Sequence, residues 1–103
     1  MTREVPLVHP GVILMEEWLA PLGISQYALA KGIQVSPRRI NEIVHGDRAI
    51  TPDTALLLGE FFGVDGAGFL NMQTHYDLEM AREKLATKLE LVREHALRHH
   101  PVT

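Results

Sequence analysis

Two short pairs, Ser36-Pro37 and Thr51-Pro52, constrain this chain more than anything else in it. Each sets a capping hydroxyl in front of a proline, which has no N–H to give a helix interior and so suits only the first turn. Gly46 and Gly63 then supply the stops. The chain is thereby cut into short helices. A first helix opens at Pro10-Gly11, covers residues 12–19 and ends before Pro21, with Leu14, Met15 and Trp18 inward. Ser25 caps a second, over 26 to about 33, which buries Leu29 and Ala30. The third covers 37–45 and buries Ile40, Ile43 and Val44 at i, i+3, i+4. Arg38, Arg39, Asn41, Glu42 and His45 are left outside. After the loop at 47–50, the fourth runs to Phe61-Phe62. Residues 64–68 connect it to a stretch that stays helix-compatible from Phe69 to about His99. Trp18, Phe61, Phe62 and Phe69 are expected in the core. The fold class is all-α: five helices, the last one extended.

With 103 residues the chain fits one core, and 46% hydrophobic against 22% charged residues is a globular balance. The absence of cysteine excludes disulfides, thiolate metal sites and cysteine nucleophiles. No apolar run approaches a membrane span and residues 1–10 lack a signal-peptide core, so a soluble cytoplasmic protein is expected. The net charge of −3 is unevenly spread. Residues 25–51 carry Lys31, Arg38, Arg39 and Arg48 against Glu42 and Asp47, while both flanks are net acidic. For a surface that meets phosphate, this local placement matters more than the total.

The second and third helices and their turn have the pattern of a helix-turn-helix. Ala30 is small where the helices cross, Val35 plugs the turn into the core, and Ile40 anchors the second helix. In that motif the second helix enters the major groove and its N-terminal residues reach base edges. Arg38 and Arg39 occupy its first turn, where a guanidinium can fork onto guanine O6 and N7. Asn41 and Glu42 are candidates for adenine and cytosine contacts. Gln26, Ser36, His45 and Arg48 are expected to position phosphates, with a C-terminal cap as the other reading of His45.

The segment resembles the phage-repressor-like (XRE/Cro) class of helix-turn-helix proteins. Five blocks are similar, in order, to the HigA antitoxin family: His9-Pro10-Gly11, Pro21 to Ser25, Arg38 to Ile43, Gly46 to Thr51, and Asn71 to Leu78. Gln34 departs from the class, which usually has glycine in the turn. A left-handed residue there would cost about 1 kcal/mol unless the turn is shifted. Gly68 stands where the family commonly carries a large aromatic. The resemblance implies an antitoxin dimer that represses its own operon and neutralises a basic, ribosome-dependent, mRNA-cleaving toxin of the HigB type. A stand-alone repressor and a protein-interaction adaptor remain as alternatives.

The implied division is an N-terminal arm at 1–9, a DNA-binding domain at 10–68, and a C-terminal helix at 69–103 that pairs two subunits and frays from about Arg98. Leu78, Leu85 and Val92 recur every seven residues, with Leu89 and Ala96 offset, but Arg82 interrupts the second row, so no strong coiled coil is indicated. Pairing is favoured because one such module reads few base pairs alone. His95, His99 and His100 read as a solvated tail rather than a metal site. Glu16 and Glu17 point to different helix faces and form no catalytic pair, though their acidity suits a basic partner. No nucleophile triad, glycine-rich phosphate loop or H-E-x-x-H motif is present, so neither an enzyme nor a cofactor is expected.

Overall fold

The computed structural model describes residues 7–99, which are helical with no strand among them. The first six residues of the expected arm, His100 and the rest of the expected frayed tail lie outside the described residues. Arg98 and His99 are helical.

Helix α1 covers residues 10–22 in three parts: an α-helical start at Pro10–Ile13, a π-helical middle at Leu14–Leu19, and a final turn at Ala20–Leu22. It therefore passes Pro21 instead of ending before it. Proline removes an N–H and crowds the carbonyl four residues back. The wider π turn relieves that crowding, with the N–H of Ala20 donating to the Met15 carbonyl one residue further back than in an α-helix. Gly11 has a packing role, since a Cβ there would run into the Ile43 carbonyl; only glycine lets α1 approach so closely.

Helices α2 (Gln26–Ile33), α3 (Pro37–Val44) and α4 (Pro52–Phe62) begin at the expected caps. The hydroxyls of Ser25, Ser36 and Thr51 accept from the N–H groups of Ala28, Arg39 and Thr54. The turn between α2 and α3 is not shifted. Gln34 adopts the left-handed conformation, φ 62° and ψ 41°, and is the single non-glycine with positive φ among the described residues. Gly63 closes α4 at φ 71°.

Helix α5 (Ala67–Lys84) starts two residues earlier than the sequence pattern suggests, because Asp65 Oδ1 accepts from the Ala67 N–H at 2.9 Å. Gly68 lies in its first turn beside an apolar groove of about 370 Å³ walled by Ile13, Trp18, Phe69 and Met72. A Cβ at this position would meet open space. The expected extended helix divides at Leu85 (φ −101°, ψ 11°), so α6 (Ala86–His99) is a separate sixth helix. This break interrupts the seven-residue seam. Leu78, Leu85, Leu89 and Val92 are all exposed, and α6 buries no residue. The two last helices draw the molecule out to 55 × 25 × 21 Å.

Leu14, Leu19, Leu29, Ile40, Ile43, Ile50 and Leu58 form a fully buried centre, each contributing about 1.5–3 kcal/mol of burial. Trp18 packs against Phe62 and Phe69 at 4.9 and 5.1 Å between ring centroids. Phe61 departs from expectation: it is 38% exposed and lies across Gly32 of α2, outside the core.

A polar lock ties the loop after α3 to α5. Gln73 is only 4% exposed. Its Oε1 accepts from the Ile50 N–H at 2.8 Å and its Nε2 donates to Asp77 at 2.9 Å. His9 caps α1 by accepting from the Gly11 N–H through Nδ1 at 2.9 Å, and its ring meets Tyr76 edge-on at 4.9 Å. Burial holds the His9 pKa below its ordinary value, against the opposing pull of Asp77 and Asp47. Ile50 follows Arg48 by two residues, so the lock fixes the backbone of the loop that carries Arg48.

Candidate nucleic-acid interface

The outer side of α3 and the loop after it bring the sequence-derived candidates onto one surface. Pro37 places Arg38 and Arg39 in the first turn, just after the Ser36 cap, while Ile40, Ile43 and Val44 hold the opposite side of the helix in the core. The Arg38 side chain is 86% exposed. Arg39 is half-buried and makes no ion pair among the described residues. It borders a polar depression of about 290 Å³, shared with Arg48, Thr51 and Asp53, at the start of α4.

Two of the candidates brace each other. Gln26 Oε1 accepts from Asn41 Nδ2 at 3.2 Å, across the two helices of the motif. Gln26 Nε2 lies 3.9 Å from the Met15 sulfur. Gln26 therefore uses its amide to orient Asn41. Its place in the first turn of α2 still leaves its backbone near where a phosphate would approach. His45 Nδ1 lies 2.7 Å from the Asn41 carbonyl oxygen, the contact of a C-terminal cap. Its other ring nitrogen is left for a second partner.

Glu42 holds the centre of the surface. Its Oε2 accepts from Arg38 Nε at 3.4 Å, and its Oε1 accepts from Arg48 Nε at 3.0 Å. Arg48 Nη2 stands at the same distance from Oε1. The hydrogen bond from Arg48, assisted by the charges of Arg48 and Arg38, keeps the carboxyl below the usual carboxylate range. A cytosine contact by Glu42 would have to compete with both arginines.

Sequence reasoning passed over one exposed group, Tyr27, which lies beside Gln26 on the first turn of α2 and is 65% exposed. Its signal was present: it falls off the inward stripe of Leu29, Ala30 and Ile33. The histidines of α6 come together only as a pair, His95 on His99 at 4.3 Å, and no group of three metal-ligating side chains occurs among the described residues. No helix among these residues is long and apolar enough to cross a membrane.

Comparison with known proteins places the chain among helix-turn-helix proteins. A helix-turn-helix family model matches residues 15–69. Virulence-associated protein I of Dichelobacter nodosus is 59% identical over 81 residues, 79% of this chain and 75% of that protein. An addiction module antidote protein of a HigA family from Coxiella burnetii superposes with a TM-score of 0.78 at 41% identity, covering 84% of this chain and 94% of that one. The Pseudomonas aeruginosa antitoxin HigA, solved with the higBA promoter, gives 0.79 at 35% identity, covering 82% and 92%.

Proposed function

The chain belongs to the helix-turn-helix family, in its HigA antitoxin group, and from that premise we propose that it is an operator-binding antitoxin that represses its own operon. The observation that carries this reading is the first turn of α3, where Arg38 stands free of the core beside Arg39 on the outer side of a complete motif. Arg38, Arg39 and Asn41 read base edges. Ser36, His45 and Arg48 face phosphates, and Gln26 sets Asn41 in place. Residues 10–68 form the reading unit, working in the cytoplasm.

Two copies act together, paired through the segment that follows residue 68. The exposed apolar side chains of α5 and α6, among them Leu78, Leu89 and Val92, support pairing. A two-fold dimer spaces two recognition helices about one DNA turn apart. The partner neutralised is a basic toxin. The acidic flanks of the chain suit a cationic protein, and the Pseudomonas neighbour is itself named an antitoxin.

The test is Arg38→Ala, measured by anisotropy on a duplex that the wild-type protein enriches from a random pool and on a scrambled duplex of equal length. The variant should melt like wild type, and its preference for the enriched duplex should fall by about five- to 150-fold, the 1–3 kcal/mol of one bidentate contact. An undiminished preference for the enriched duplex would remove Arg38 from the reading role.

A further inference from the structure

We infer that Glu42 is a selectivity residue: its carboxylate bridges Arg38 and Arg48, lowering the attraction of the surface for any duplex while holding Arg38 in the pose that reads a base. The inference rests on the DNA-binding reading above and assigns Glu42 a positioning role in place of a base contact.

The geometry of the two ion pairs carries it. Arg38 is bound only through Nε, at 3.4 Å. A guanidinium held at Nε keeps its two terminal nitrogens, the end-on edge that forks onto guanine O6 and N7. Glu42 thus grips Arg38 without using its reading edge. Arg48 is held differently, with both Nε and Nη2 at 3.0 Å from one carboxylate oxygen. Its charge is partly compensated at Nε and Nη2, while Nη1 is left for a phosphate. The Glu42 side chain is 27% exposed, against 86% for Arg38 and 46% for Arg48. The carboxylate is therefore the sheltered member of the trio, and the arginines are the reaching ones. The lowered pKa of Glu42 agrees with a carboxylate that stays charged near neutral pH.

The two effects act unequally on matched and unmatched DNA. Non-specific binding comes from cations replacing counterions on phosphates, so one compensating carboxylate among the cations weakens it on every sequence. Holding Arg38 in advance reduces the rotamer freedom lost on binding, and that gain is realised only where a guanine edge meets the held fork. On a mismatched duplex the same pose has no partner.

The experiment uses the full chain, wild type and Glu42→Gln, on the enriched and scrambled duplexes across a salt series. Glutamine is close in size, and superimposable thermal melts verify that the fold is kept. Removal of one carboxylate should steepen the salt dependence on the scrambled duplex by about one unit of slope. That corresponds to roughly five- to eightfold tighter binding at about 0.10–0.15 M salt. The enriched duplex should gain less or lose affinity, so the preference falls. Equal gains on both duplexes, no change on either, or a loss confined to the enriched duplex would each overturn the inference, the last by making Glu42 a base reader. Wild type that enriches no duplex from the pool would sink the DNA-binding reading itself, a result visible without any variant.

Discussion

Gln34→Gly should stabilise the protein, and the size of the gain can be worked from the turn it occupies. Gln34 adopts φ 62° and ψ 41° between α2 and α3. A left-handed residue carries a Cβ penalty of about 1–2 kcal/mol, which glycine lacks. Glycine in turn returns about 0.5–1 kcal/mol of freedom to the unfolded chain. The net gain centres on about 0.75 kcal/mol, or an upward shift of the melting midpoint of about 3–6 °C for a domain of this size. Little else changes: the Gln34 side chain is exposed, and its backbone N–H, which donates to the Ala30 and Lys31 carbonyls, is kept by glycine. Paired thermal and urea melts of wild type and variant measure the gain, with an unchanged urea slope excluding an effect on unfolded-chain compactness. Gly63→Ala is the mirror control, since φ there is 71° and a Cβ would touch nothing within 4 Å; it should lose about 1 kcal/mol. An unchanged or lower midpoint for Gln34→Gly would refute the strain argument.

Two further outcomes test the lock between α1, the loop after α3, and α5. The folded pKa of His9 lies below 6.5, so the unfolded chain takes up the proton first. The contribution of His9 is therefore complete above about pH 6.5 and is lost as pH falls from there through the lower folded value. His9→Asn keeps an acceptor for the Gly11 N–H but cannot titrate in this range, so urea midpoints measured at about pH 7.5 and 5.5 should differ less in the variant than in wild type. Gln73→Leu strands the Ile50 N–H, which now donates to Oε1 at 2.8 Å in a buried site. A loss of about 1–3 kcal/mol is expected by urea denaturation.

Local chemistry was the legible part of this fold. A hydroxyl ahead of an apolar stripe marks a helix start through contacts that span three residues, and the caps at Ser25, Ser36 and Thr51 fall where that rule puts them. Features set by tertiary packing were hidden. Pro21 signals a helix end by its own chemistry, and only the π turn upstream overrides it. Phe61 is as apolar as Phe62, and its exposure follows from the side of α4 it occupies against α2. The break at Leu85 has neither glycine nor proline to announce it. At the candidate interface the outward set on α3 follows from helical spacing. The pairing of Gln26 with Asn41 joins residues fifteen apart on two helices, and Arg48 reaches Glu42 from a loop whose course depends on Gln73. Spacing gave which residues face outward, but not which of them hold one another.

The net charge of −3 is compatible with a face for DNA because charges act here at short range. At physiological salt an exposed charge is felt over about 8 Å. The molecule is 55 Å long, and α5 and α6 extend it at the end remote in sequence from the recognition helix. A carboxylate more than about 8 Å from the α3 surface is screened from it, so it lowers the total without neutralising the face. Those that count lie beside the arginines. Asp53 borders the depression shared by Arg39 and Arg48, while Glu42 pairs directly with Arg38 and Arg48. Converting a distant carboxylate to its amide would change the net charge as much as Glu42→Gln does and should leave DNA affinity almost unmoved. The charge that governs binding is the one left on the outer side of α3 after Glu42 has taken its share.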